Sequence, residues 1–114
     1  MTITITSLRL KSLWRFFHLS YLSMHIVREM KKEKGFIKFK NTGFGYMHYT
    51  ISAWESEQDL KRFAYKGEAH TKAMKKMRDV ASEIGTFTYT SDHFPGWKEA
   101  RKMLTTSGKI MKMN

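Results

Sequence analysis

From Thr2 to Thr6 the chain alternates Thr with Ile, and Leu8 and Leu10 carry the period of two onward. That alternation of β-branched residues predicts a strand. After Ser12 the period lengthens. Leu13, Phe16, Phe17, Tyr21, Met24, Val27 and Met30 recur at spacings of three and four, which predicts an amphipathic helix with these residues as its apolar face. Ser12 is placed to cap its start. Lys31, Lys32 and Lys34 suit the negative end of the helix dipole, and Gly35 stops the helix.

Phe36 to Lys40 predicts a short strand, followed by a turn at Asn41-Thr42-Gly43 with Gly45 close behind. Tyr46 to Trp54 is the strongest strand pattern of the chain. Its odd positions Met47, Tyr49, Ile51 and Ala53 and its even positions Tyr46, His48, Thr50, Ser52 and Trp54 both carry large groups. Such a strand is expected to be covered on both faces. Ser56 and Asp59 fit a capping pattern at the head of a second helix, which carries Leu60, Phe63 and Ala64 on one side. Gly67 interrupts that helix, and a further helical segment from Glu68 aligns His70, Ala73, Met77, Val80 or Ala81, and Ile84 before Gly85 ends it. Thr86 to Thr90 predicts the last strand. Pro95-Gly96 is a turn before a short helix from Trp97 to Leu104.

The order is β-α-β-β-α-β with an added C-terminal helix, an α+β class of ferredoxin-like topology with an antiparallel sheet. Residues 1–105 form one such domain, and 106–114 are expected to be a loosely ordered tail. Helices on one face of a four-stranded sheet leave the other face bare, an aggregation hazard. Pairing with a second copy into a dimeric α+β barrel would cover it, so a homodimer is the expected assembly.

Composition narrows the chemistry. The 114 residues suit a single domain, and 41% hydrophobic content supports a core. The absence of cysteine removes disulfides, thiolate nucleophiles and Cys-type zinc sites, and suits a reducing compartment. Arg15, His18, Ser20, Ser23 and His25 interrupt the apolar run from Leu13 to Val27, short of the ~18 residues a spanning helix needs. Nor is an export signal evident. A cytoplasmic protein with no membrane partner is therefore expected. The net charge of +11 attracts polyanions. Its cations are dispersed along the chain rather than gathered with stacking aromatics, so a solvated basic surface is preferred to a nucleic-acid reader.

The run from Tyr49 to His70 contains Ser52 and Trp54 at a strand end, then Glu55, Phe63 and His70, with Ala73 and Met74 following; Pro95-Gly96-Trp97 and Glu99-Ala100 lie downstream. This pattern resembles the dimeric α+β barrel superfamily around the spheroidene-monooxygenase-like and antibiotic-biosynthesis-monooxygenase-like proteins. The resemblance implies a hydrophobic pocket between sheet and helices for an aromatic, polyene or porphyrin-like ligand. It implies oxidoreductase chemistry in some members, haem as a possible cofactor in others, and no known activity in many.

Within that expectation His70 is the candidate catalytic residue, as general base or haem ligand, because it shares a helix side with Ala73, Met77 and Ile84. A satisfied core histidine is the plainer reading. Trp54, Phe63 and Met74 are candidate substrate-binding walls, or ordinary core. His48 could serve as a polar handle in the pocket or lie in a dimer seam. His18 and His25, seven apart without a carboxylate, make a poor metal site, and no metal ligand set is expected. The GxGxxG, P-loop and HExxH motifs are absent. The leading function is monooxygenase-like small-molecule binding. The alternatives are a non-catalytic binding module of the same fold and a basic nucleic-acid-binding protein.

Overall fold

The computed structural model describes residues 1–66, 75 and 80–112. Within them β1 (Thr2–Leu10), α1 (Arg15–Lys32), β2 (Phe36–Phe44), β3 (Met47–Trp54), α2 (Glu57–Lys66), β4 (Ala81–Thr90), α3 (Trp97–Ser107) and β5 (Lys109–Lys112) follow one another. The strands form one antiparallel sheet in the order β2-β3-β1-β4-β5. The ferredoxin-like topology expected from the sequence is present.

The barrel is not. β2 and β5 are the two ends of an open sheet, which does not close on itself. The reason for expecting closure also disappears, because α3 covers the face that was to be bare. Ile3, Ile5, Ile51 and Ala53 on that face pack with Ala100 and Leu104 of α3. These six are essentially excluded from water without a second copy. Each buried Ile or Leu side chain here contributes about 1.5–3 kcal/mol. A C-terminal helix recognised only as an appendage in the sequence thus completes the second layer of the domain.

The opposite face meets α1 and α2. Leu8, Leu10 and Ile84 pack with Leu19 and Leu22 of α1, together with Val80 and Ala81. At the other end Trp54 packs with Met30 of α1 and Phe63 of α2. The inner stripe of α1 is therefore Leu19, Leu22, Ile26 and Met30. Of the stripe expected from the spacing, Leu13, Phe16, Phe17, Tyr21 and Met24 are exposed. The helix carries two apolar stripes, and a period of 3.6 cannot say which one faces the core.

Boundaries moved for local reasons. α1 begins at Arg15 rather than after Ser12, since residues 12–14 form a turn in which Arg15 N–H donates to the Ser12 carbonyl (3.2 Å). β2 runs through Asn41-Thr42-Gly43, and the reversal falls at Gly45-Tyr46, where Gly45 has φ +62°. The Ala81–Ile84 stretch, whose apolar spacing matched a helix, is strand paired to β1 across an irregularity at Arg9/Leu10. Gly85 lies in mid-strand between Ser7 and Ile110, where a Cβ would strike both side chains. The absence of a side chain there lets β5 lie alongside β4. β5 itself falls within the expected tail.

The α1 exit and the α2 start are locked together. Gly35 has φ +87° and abuts the Asp59 side chain. Ser56 caps α2, its Oγ accepting the Asp59 N–H (3.2 Å) while its hydroxyl donates to Asp59 Oδ2 (2.8 Å). Arg62 donates to the other carboxylate oxygen (3.1 Å).

Candidate functional site

The strand register decides which face of β3 looks toward the helices. Directly opposed residues of antiparallel strands share a face. Trp54, Ser52, Thr50 and His48 stand opposite Thr2, Thr4, Thr6 and Leu8 of β1. Those stand opposite Thr90, Thr88, Thr86 and Ile84 of β4. Since Trp54 and Leu8 pack on α1, the whole set faces the helices.

The centre of this face is a floor of hydroxyls. One row is Ser52, Thr4 and Thr88; the next is Thr50, Thr6 and Thr86. Trp54 closes the floor at one end, and His48, Leu8 and Ile84 close it at the other. Ser52 is buried, Thr4, Thr6 and Thr50 are half-buried, and Thr86 and Thr88 are exposed. Thr4 and Thr88 share a hydroxyl–hydroxyl bond of 3.0 Å. Trp54 Nε1–H donates to Ser52 Oγ (3.1 Å), which occupies an acceptor position and leaves the Ser52 proton to be directed elsewhere. Thr6, Thr50 and Thr86 make no side-chain hydrogen bond among the described residues. Threonine suits a strand for its branched Cβ, yet the odd positions of β1 use Ile for that purpose. The concentration of hydroxyls on one face is a property of the site rather than of the backbone.

The floor continues onto the edge strand. Phe39 stands opposite Ser52 and Asn41 opposite Thr50. Between these two residues and α1 runs an open groove of about 440 Å³. Its polar lining is Ser20, Ser23 and Asn41; Met24, Val27 and Phe39 are its apolar walls; Arg28 and Lys31 stand on its helical side. Neither cation has an ion-pair partner among the described residues. A groove of this size accepts a small organic ligand.

His48 is held at the hairpin. Its ring occupies the space over Gly43, where a Cβ would fall within the imidazole, and stacks on Phe16 at 5.4 Å. Its Nε2 lies 3.1 Å from the Gly45 carbonyl oxygen. Trp54 is wholly buried in a ring stack, edge-on to Phe36 (5.7 Å) and face-to-face with Phe63 (5.4 Å). Of the residues selected from the sequence, Trp54, Phe63 and His48 are thus at the two ends of the floor. His70 and Met74 lie outside the described residues. The spacing-based search passed over Thr4, Thr6, Thr50, Ser52, Thr86, Thr88, Asn41, Arg28 and Lys31. A usable signal existed: Thr and Ser at one parity on three strands, with mostly apolar residues at the other.

Haem requires an apolar slot and an axial ligand. The described part of this face offers hydroxyls instead, and the described imidazole on it has its Nε2 turned to a backbone carbonyl. These residues do not fit haem. Among the described residues no three of His, Asp and Glu cluster to hold a metal ion.

On the other face, the Tyr89 hydroxyl is buried without a hydrogen-bond partner, and burial, then the charge of Glu99, pushes its pKa up. No helix among the described residues is long and apolar enough to cross a membrane.

Residues 13–109 match the model of the family described as Domain of unknown function (DUF3291). The chain belongs to the DUF3291 family. Comparison of this DUF3291 chain with curated proteins returns no match. Its fold is shared with solved structures at low identity. SnoaB, a cofactor-independent oxygenase from Streptomyces nogalater, superposes with a TM-score of 0.67 at 9% identity, covering 82% of this chain and 94% of that one. A candidate antibiotic biosynthesis monooxygenase from Deinococcus radiodurans gives 0.72 at 16% identity, covering 84% and 97%. Rv0793 from Mycobacterium tuberculosis gives 0.72 at 7%, covering 84% and 100%. The DUF3291 chain therefore has the antibiotic-biosynthesis-monooxygenase-like fold that its Ser52–Trp54 to His70 pattern resembled. At these identities the likeness concerns fold alone.

Proposed function

We propose that the chain is a monooxygenase-like small-molecule-binding protein whose ligand lies in the groove between α1 and β2 and reaches over the hydroxyl floor. The observation that carries this reading is the floor: hydroxyls at the centre of a helix-covered sheet face, of which the half-buried Thr6 and Thr50 have no side-chain partner among the described residues. Buried and half-buried polar groups are normally satisfied, and a bound ligand with oxygen functions would satisfy these. Hydroxyls both donate and accept, so they suit keto and hydroxyl groups, while Phe39, Met24 and Val27 suit the faces and edges of a ring system. The ligand class is thus a planar, largely apolar molecule bearing hydroxyl and keto groups.

Oxygen chemistry in this reading is supported by the shared fold with a cofactor-independent oxygenase. In such chemistry the substrate's own carbanion supplies the electrons, and the protein binds, orients and takes a proton. His70 is the proposed base and Met74 a proposed wall. Trp54 acts through Ser52, whose hydroxyl it orients.

The test uses 1,8-dihydroxyanthraquinone as probe, followed by thermal shift and calorimetry. Thr6→Val and Thr50→Val keep side-chain volume and remove a hydroxyl. Each should weaken binding about tenfold, as expected for a lost hydrogen bond of ~1.4 kcal/mol, with the fold retained. Unchanged affinity in the double variant would discard the floor as the site. Oxygen uptake with an anthrone substrate, present in the parent and lost in His70→Ala, would establish an oxygenase. Binding without uptake would leave a non-catalytic binding module.

A further inference from the structure

The outer side of α1 is apolar where a surface helix should be polar. Leu13, Phe17, Tyr21 and Met24 follow one another at helical spacings of four, four and three, on the side opposite Leu19, Leu22 and Ile26. They are 53%, 69%, 56% and 48% exposed, and Trp14 beside them is 81% exposed. A helix apolar on opposite sides is ordinarily buried on both, yet among the described residues nothing covers this stripe. Exposed apolar surface of this kind marks an interaction site.

Charge says what would cover it. The same stripe continues to Arg28 and Lys31, with Lys32 next to them; none of the stripe's positions is a carboxylate, the first acids of the chain being the half-buried Glu29 and Glu33. A second copy of such a surface would bring cations together with no acidic counterpart. Nucleic acid calls for cations tracking a backbone between the stacking rings; here they gather past the end of the aromatic stripe. Trp, Tyr and Phe beside Leu and Met, flanked by Lys and Arg, match the composition that settles at the headgroup level of an anionic bilayer.

We propose that α1 docks by its outer side onto an anionic lipid surface, with Trp14, Phe17 and Tyr21 inserted among the headgroups and Arg28, Lys31 and Lys32 paired with lipid phosphates. Lying on a bilayer is distinct from crossing it. The stripe lies away from the hydroxyl floor on the inner side of the helix, but Met24, Arg28 and Lys31 also border the groove, so each variant's affinity for the anthraquinone probe is measured beside its partition to separate the two sites.

Vesicles of phosphatidylglycerol and phosphatidylcholine, against phosphatidylcholine alone, provide the test by co-sedimentation and tryptophan emission. Trp54 is wholly buried and Trp97 half-buried, so a blue shift on binding reports Trp14. The intact protein should sediment with the mixed vesicles and shift to the blue, and added salt should weaken it. Trp14→Phe should lose the shift while keeping most of the binding. Phe17→Ser with Tyr21→Ser, both at exposed positions, should reduce partition at least tenfold. Arg28→Gln and Lys31→Gln should each reduce it about fivefold. The proposal is overturned by failure to sediment with anionic vesicles, or by partition that the Phe17/Tyr21 variant leaves intact. It is also overturned if that variant instead dissolves a dimer in light scattering or abolishes retention on single-stranded DNA, which would assign the stripe to a second copy or to nucleic acid.

Discussion

The two faces of the sheet are cut from the same strands and built to opposite rules. Toward α3 the central positions are Ile3, Ile5, Ile51 and Ala53, closed over by Ala100 and Leu104. Toward α1 and α2 the neighbouring positions are Thr4, Thr6, Thr50 and Ser52, and among the described residues the helices pack on the two ends, through Leu8 and Trp54, rather than on the middle. One face removes apolar surface from water and holds the fold. The other gives up that gain at its centre, where a row of Val or Ile would be more stabilising, and keeps donors and acceptors instead. Proteins that sacrifice core stability locally commonly do so where they bind something.

Substitutions can break this contrast. The largest effect is expected at the dry face: Ile51→Ala should cost about 2–5 kcal/mol in urea denaturation, through lost burial and the cavity left against α3. A cost below ~1 kcal/mol would show that α3 does not seal this face. At the hairpin end of the polar face, Gly43→Ala should displace the His48 ring from its seat over Gly43 and from Phe16, at about 1–3 kcal/mol. A changed environment for the His48 ring protons by NMR would report the displacement. In the middle of that face, Thr6→Val should alter stability by less than ~1 kcal/mol in either direction, in contrast with Ile51 one register pair away. A cost as large as that at Ile51 would make the hydroxyl a structural group.

The smallest effect is expected at Tyr89, the dry face's one stranded hydroxyl among the described residues. Tyr89→Phe should be neutral or stabilising by a few tenths of a kcal/mol, since no hydrogen bond is lost. Its pKa in the fold lies above the ordinary 10.0. The folded state therefore holds the phenolic proton more tightly than the unfolded chain does. That contribution is complete below pH 10.0 and is lost as pH rises past it toward the folded value. The Phe variant should show a shallower loss of stability as pH rises above 10.0, and parallel curves would mean that the hydroxyl finds a partner in solution.

Legibility in the sequence followed the kind of signal each element carried. The Thr/Ile alternation of β1 and the both-sided pattern of β3 marked true strands, because period two survives any tertiary context. Ser56 and Asp59 marked the start of α2 through a local capping geometry. Ala81 to Ile84 misled, because four residues with apolar groups at 81 and 84 satisfy either period, and only pairing with β1 makes them strand. α1 misled in a more instructive way: Leu13, Phe17, Tyr21 and Met24 form as good a stripe as Leu19, Leu22, Ile26 and Met30. Large aromatics drew attention to the stripe that the fold leaves outside. Likewise the search for a site went to His and Trp, which stand out singly, while threonines on three separate strands signal nothing until register brings them together.

The sequence by itself determined β1, α1, β2, β3, the start of α2, the helix after Pro95-Gly96, their order and the ferredoxin-like topology, since local periodicity, caps and turn residues act within a few positions of where they are read. Tertiary structure alone decided which side of α1 is core, that α3 packs on the far face, and that six hydroxyls share one floor. Those outcomes depend on which surfaces meet across the fold, and the energy that selects among them comes from burial between residues dozens of positions apart.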